Sequence, residues 1–471
     1  MGQWKNEKRC FSCRFICISG RFQIRSYQKI YLSSIFLISL INARECLIDH
    51  NPERRVSRPE KDTLAISPAG YFYIHYDTTG SSAPDADDQN GNGVPDYVDE
   101  VALIADSAYH VLVNVLGYDE EPFDGEGGYD IYIQYYASDF IYGYNYKESG
   151  GTSYLEIDND YGPQSEKSNF NLSPIQIMRI SLAHEYFHGI QWGYEENLGD
   201  NAYFYEMTSM WFEDVIIPYG NDYIDGWTDD LLNNPTADFN NTGQPGYELA
   251  LFGHYLSSFV DPKGVDTAKN STIIREMWER YGNSSSNAFS SVKFVLDNSY
   301  NIYFIEAWVD FISRNLYNGI DESFYYYSDQ ALIDPIDTYP QGLSLGSTET
   351  FTLQLDDESV SIQSYELVDV ATVYITHSSS DYAGLAASLS SGNIENSLLW
   401  GTNNTSFIAN DEIHFIYGSE NMDSVIINLF NSYPYNYSLL DININSETYG
   451  EILSPGYFAG QVTLHYFGHQ N

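Results

Sequence analysis

The stretch His184-Glu185-Tyr186-Phe187-His188 constrains this chain more than any other, because an HExxH pentad makes chemical sense only on an α-helix. Residues four apart stack on one helical face, so His184 and His188 can aim ring nitrogens at one zinc ion while Glu185 sits beside it, placed to move a proton. The flanks predict that helix. Ser173-Pro174-Ile175-Gln176 supplies a Ser N-cap, Pro at the first helical position and Gln at the third. From Pro174 to about Trp192 only Gly189 disfavours a helix, and Met178, Leu182 and Ile190 give it an apolar face. An accidental HExxH is expected in roughly one chain of this length in a hundred, so the helical context carries the weight.

A catalytic zinc keeps three protein ligands and one open position, so a third ligand is expected downstream on a second element. Glu206 is the best candidate, 18 residues after His188, across a polar turn from Tyr194 to Asn201 that allows an antiparallel helix to return. The segment Glu206 to Asp214 has helical character, with Met207, Met210 and Trp211 at core-type spacing. Glu213 lies two turns beyond Glu206 on the same face. Two readings of it stay open: an acceptor for the second N–H of a ligand histidine, or an alternative ligand.

HExxH, a glutamate about twenty residues on, a small residue three beyond it (Ser209) and an acid seven beyond it (Glu213) together resemble the gluzincin clan of zinc metallopeptidases. The resemblance implies zinc on His184, His188 and Glu206, with Glu185 as the catalytic acid and base. The exopeptidase signature Gly-x-Met-Glu-Asn is absent upstream, which argues against aminopeptidase activity. More narrowly, residues 66 to 330 resemble a family of secreted bacterial metalloproteases. In these an Asn-Gly-Asn-Gly loop precedes a His-Glu-aromatic-Phe-His helix with a Gln three residues later, here Gln191. The run Tyr247 to Leu256 resembles the tyrosine-led helix that follows the zinc glutamate in gluzincins, which makes Tyr247 the candidate hydrogen-bond donor to the oxyanion, with His254 a weaker alternative. In a chain of 43 tyrosines, an ordinary core tyrosine competes with that role.

A second constellation runs from Asp88 to Asp99. Asp88, Asn90, Asn92, Asp96 and Asp99 occupy positions 1, 3, 5, 9 and 12 of an EF-hand-type loop, Gly93 stands at position 6 and Val94 offers its carbonyl, which suits structural calcium. Pro95 and the terminal Asp depart from a true EF-hand and suggest a lone loop of dockerin or thrombospondin-repeat style, to which Asp85, Asp87 and Glu100 could add. The competing reading is an acidic, Gly-rich turn leading into a helix near Tyr97.

The first 43 residues carry seven of the 21 Lys and Arg and one of the 66 acids, and the apolar run Ile30 to Ile41 suits a signal peptide while being too short to span a bilayer. Removal after Ala43 would leave Cys46 as the single cysteine, since Cys10, Cys13 and Cys17 lie in the leader, so no internal disulfide is expected. An uncleaved anchor is the alternative. The remaining 14 basic residues face 65 acids, a formal net charge of −51 that repels nucleic acid and anionic membranes. Basic peptides or proteins would be attracted.

The expected fold class is α+β. A zincin-like domain over 66–335, with a mixed-sheet upper lobe and a helical lower lobe, would hold the calcium-type loop at 85–100 and be followed by a β-sandwich over 340–471. Residues 44–65 read as a linker or a pro-segment remnant. Tyr71–Asp77, Tyr129–Tyr136 and Ser153–Asp158 read as strands, the last serving as an edge strand on which an extended substrate could pair. Residues 219–245 read as a long loop, and helices are expected near 247–259, 272–281, 287–297 and 302–316. The function implied is a secreted zinc endopeptidase acting on peptides or proteins. A noncatalytic binding or adhesion protein on a zincin scaffold, and a zinc hydrolase of a non-peptide bond, are the rivals.

Overall fold

A computed structural model describes residues 45–48, 57–136, 141–167, 171–224, 227–240, 246–263, 269–345, 348–355, 358–368, 370–377, 382–400, 405–420, 423–431, 439–442, 444–446 and 448–453. The expected signal peptide at 1–43 lies outside them. Among the described residues no helix is long and apolar enough to cross a membrane.

The chain is α+β. Its first layer is a six-stranded mixed sheet built from β1 (Glu45–Ile48), β2 (Thr63–Ile66), β3 (Phe72–Tyr76), β4 (Tyr129–Gln134), β5 (Ile141–Lys147) and β6 (Ser153–Asp158), in the order β1-β5-β6-β4-β3-β2. β3, β4 and β6 run parallel to one another, while β5 is antiparallel to β6 and β1 is parallel to β5. The two central strands, β4 and β6, bury nearly every residue, as strands covered on both faces do.

Three sequence expectations change here. Ser153–Asp158 is a strand but not an edge, because Ile141–Lys147 pairs on its far side. That strand alternates in the inverted sense: Gly143 and Asn145 face the helix Pro174–Tyr194, Tyr144 and Tyr146 join an aromatic cluster on the other face, and Gly and Asn read as turn residues. The segment 44–65, expected as linker or pro-segment remnant, contributes β1 and β2 to the sheet.

Helices form the second layer: α1 (Asp96–Tyr109), α2 (Gly162–Lys167), α3 (Pro174–Tyr194), α4 (Ala202–Ile216), α5 (Trp227–Asn233), α6 (Ala250–Tyr255), α7 (Ile273–Gly282), α8 (Ala288–Tyr300) and α9 (Phe304–Leu316). The first continues as a π-helical stretch over His110–Leu116. α5 corrects the reading of 219–245 as an uninterrupted loop: Trp227, Leu231 and Leu232 bury an apolar side too short to stand out among the surrounding Asn and Asp. α3 begins with the anticipated capping box, Ser173 Oγ accepting from the Gln176 N–H and Gln176 Oε1 accepting from the Ser173 N–H at 2.8 Å. It is buried almost all round from Ile177 to Trp192, with sheet strands β5 and β6 on one side and α1, α4 and α7 on others.

After residue 340 the chain turns to strands. β7 (Gln341–Leu343), β9 (Val360–Leu367), β11 (Tyr382–Ser390), β12 (Asn393–Trp400) and β14 (Glu412–Ser419) form one sheet; β8 (Thr348–Leu355), β10 (Ala371–His377), β13 (Thr405–Ala409) and β15 (Asp423–Asn431) form another. Leu353, Val373, Ile375, Phe415, Tyr417, Ile427 and Leu429 fill a core shared by the two sheets. The other face of the first sheet joins the main core through Ala383, Leu385, Ala387 and Ile416, packed on α9. Gly418 permits that approach, since a Cβ there would come within 2.3 Å of Ile305.

Candidate metal centre

α3 and α4 pack against each other, joined by the short turn at 195–201, and this brings the pentad to Glu206. Glu206 Oε2 lies 3.0 Å from His184 Nε2 and 3.5 Å from His188 Nε2. Among the described residues, these three are the one group of three or more His, Cys, Asp or Glu whose ligand atoms all lie within 4.8 Å of one another.

Each histidine is held from behind. Glu213 Oε1 accepts from His184 Nδ1 at 2.6 Å, so of its two readings the geometry favours the acceptor. Gln191 Oε1 accepts from His188 Nδ1 at 2.7 Å, while its Nε2 donates to Tyr205 O, Thr208 Oγ1 and Ser209 Oγ. With the Nδ1 protons so assigned, both Nε2 atoms face Glu206 Oε2. From the sequence Gln191 enters only through a resemblance. Its place three residues after His188, one turn along the same face, is the signal that could have identified it.

Electrostatics set the two rings apart. Burial opposes charge on His184, but its bonds to Glu206 and Glu213 outweigh this and push its pKa up to about 9. Burial holds the pKa of His188 below its ordinary value, and its Nε2 makes no hydrogen bond although it is wholly buried. Burial also opposes ionisation of Glu206, yet the two histidines hold it down at about 2. A buried, uncharged imidazole nitrogen aimed at an ionised carboxylate oxygen is a donor set suited to a divalent cation.

The two separations that involve Glu206 suit zinc. With zinc–ligand bonds of about 2.0–2.1 Å and tetrahedral angles, neighbouring ligand atoms stand about 3.3 Å apart. The separations of 3.0 and 3.5 Å fall on either side of that value.

Glu185 follows His184 on α3 and is covered by β5. A Cβ on Gly143 would approach Glu185 Cγ to 2.8 Å, so only glycine lets the strand pass this close. Asn145, two residues along, donates to the Glu185 carbonyl at 2.7 Å and to Tyr129 Oη at 3.0 Å, and accepts from Trp192 Nε1 at 3.0 Å. This clamp was invisible while β5 was. Tyr247 is buried between the Trp227 ring, 4.5 Å away between centroids, and the His184 ring at 6.1 Å. His254 instead lies between the rings of Tyr223 and Tyr327, 3.8 Å from Asp214 Oδ2, where burial pushes its pKa down to about 3.

The loop from Asp88 to Asp99 is exposed over residues 88–93, buries Tyr97 and Val98 at its far end, and is knit by local hydrogen bonds. Asp88 accepts from the N–H groups of Gly91, Asn92 and Gly93, Asn90 Oδ1 from that of Asn92, and Asn92 Oδ1 from that of Val94. Gly93 has φ of 88°, as its position in the loop demands. Asp99 Oδ2 receives the side-chain nitrogens of Asn90 and Asn92, each at 2.8 Å, and Asp96 accepts from the Gln89 N–H. Amide nitrogens, not oxygens, therefore face Asp99, so an ion centred there would require both amides to turn over.

No family model matches the chain, and no curated protein does. A solved structure it is similar to is the pre-peptidase C-terminal domain of a collagenase from Bacillus anthracis, at 7% identity and a TM-score of 0.16, covering 20% of this chain and 98% of that one.

Proposed function

We propose that the protein is an exported zinc-dependent endopeptidase of gluzincin type, in which a zincin-like domain is followed by a β-sandwich. The observation that carries this reading is the convergence of His184 Nε2, His188 Nε2 and Glu206 Oε2 in a buried cluster at zinc spacing, with Glu185 next to His184 on the same helix. Zinc bound by these three would polarise a peptide carbonyl and acidify a water at the fourth position. Glu185 takes the proton of the attacking water and passes it to the departing nitrogen. Glu213 and Gln191 hold the two imidazoles in the orientation that presents Nε2. In this reading Tyr247, whose ring lies 6.1 Å from that of His184, donates to the oxygen that gains charge. Asn145 and Gly143 set how closely β5 approaches Glu185.

The Asp88–Asp99 loop has the residue pattern for structural calcium. In that role it would exchange the two amide–Asp99 hydrogen bonds for ion contacts.

The test is metal content together with cleavage. The purified protein is incubated with a mixed-sequence peptide library and, separately, with a panel of small esters and amides, with and without a zinc chelator. About one zinc per chain and chelator-sensitive cuts at internal bonds are expected. Zinc without any cut would move the reading to a binding scaffold, cuts confined to small esters or amides would move it to a non-peptide hydrolase, and absence of zinc would end it.

A further inference from the structure

His184, Glu185 and His188 have no exposed surface, and Glu206 and Tyr247 keep 2% and 3%. A site that acts on a polypeptide has to open to one, so the elements covering it bear on regulation. β5 is the nearest sheet strand, lying over Glu185 at Gly143 and Asn145. Its inner edge pairs with β6. Its outer edge would offer a row of backbone N–H and C=O groups to an extended chain running alongside Glu185.

That edge is taken. β1 pairs along it in parallel, with Cys46 opposite Gly143, Leu47 opposite Tyr144 and Ile48 opposite Asn145, and it also comes near α3. We infer that β1 is a built-in occupant of the strand edge beside Glu185, which keeps the site closed until it is displaced. The inference rests on the peptidase reading above and names its regulation.

The pairing is suited to exchange. β1 has four residues, its register slips between Glu45 and Cys46, and parallel ladders are slightly weaker per residue than antiparallel ones. It is retained by a tether. Arg58, ten residues after Ile48, is bound by Glu148 immediately beyond β5 at 2.6 and 3.2 Å, by Asp124 at 2.7 Å and by Asp130. A strand held on so short a leash sees the edge at an effective concentration on the order of millimolar, which a free substrate must exceed. Charge favours retention as well: Arg44, Arg54, Arg55, Arg58 and Lys61 are five of the 14 basic residues that follow position 43, in a chain with 65 acids over the same stretch.

The experiment uses the full chain. Cys46→Pro with Leu47→Pro removes a ladder N–H, because adjacent strand residues aim their N–H groups to opposite sides and one of the two must face β5, and should free the edge. In a second form, residues 49–56 are replaced by the recognition sequence of a specific protease, and the folded chain is cut there so that β1 can leave without any demand on refolding. The probe is reduced, alkylated lysozyme carrying fluorescein, a basic unfolded polypeptide. Its binding is measured in a Glu185→Gln background and its cleavage in the native background, with hydrogen exchange at β5 as a third readout. The expected result is at least tenfold tighter binding and faster cleavage after either change, with loss of protection at the β5 amides and none at α3. Unchanged binding and cleavage in a chain whose β5 amides have become exposed would overturn the inference. Tighter binding with no cleavage in any form would keep the occupant and remove the peptidase reading; zinc-dependent cleavage equally fast with β1 in place would do the reverse.

Discussion

The two metal-type motifs of this chain are built in opposite ways. The pentad's cluster has 0–2% exposure and draws its groups from two helices, with supporting carboxylate and amide side chains up to 29 residues away from the histidine they hold. In the Asp88–Asp99 loop residues 88–93 are exposed, and the hydrogen bonds among its Asp, Asn and Gly residues span nine residues or fewer, while Tyr97 anchors its far end in the core through Asp158 O. A buried polar cluster has no water to fall back on, so each group there must be answered by another part of the fold. An exposed loop can satisfy itself locally and needs the fold only for its ends. Perturbation should therefore be severe and chemical at the first site, and mild and structural at the second.

The largest expected effect is Glu185→Gln, which should keep zinc content near one per chain and lower peptide cleavage by more than about a thousandfold, measured by metal analysis beside a turnover assay. A variant cutting at the native rate would remove Glu185 from the chemistry. Next comes Glu213→Gln, expected to weaken zinc affinity by about 10- to 100-fold in a chelator competition, because His184 loses its charged acceptor. An effect no larger than that of an exposed acid would make the distinction between buried and exposed carboxylates fail here.

Gly143→Ala tests the closeness of β5 rather than the ligands. A methyl group at 2.8 Å from Glu185 Cγ has to push the strand or the side chain away, at a cost of about 1–3 kcal/mol in denaturant unfolding, and with reduced cleavage. The smallest effect belongs to the loop. Asp88→Ala deprives three backbone N–H groups of an acceptor that water can replace, so thermal unfolding should fall by less than about 4 °C in the absence of calcium. Added calcium should raise the melting temperature of the native chain and not that of the variant. An equal rise in both would show that any calcium acts elsewhere.

How much was legible follows the same division. Ser173 to Trp192 announced its helix, cap and pentad because those signals are local: a capping box, a four-residue repeat and an apolar face. Ser153–Asp158 was legible as a strand, yet its place inside the sheet was not, since strand order depends on Ile141–Lys147, whose Gly143 and Asn145 read as turn residues although they form the face packed on α3. Asn145 and Gly143 were hidden for the same reason.

By itself the sequence determined the α+β class, the helix under the pentad and the residues able to meet a metal, because helix periodicity and capping act within a few residues of each other. The tertiary structure decided that Glu213 backs His184 while Gln191 backs His188, that β5 covers Glu185, and that residues 45–48 lie along the edge of β5. Those outcomes depend on which distant segments share a buried face, and no spacing along the chain encodes that.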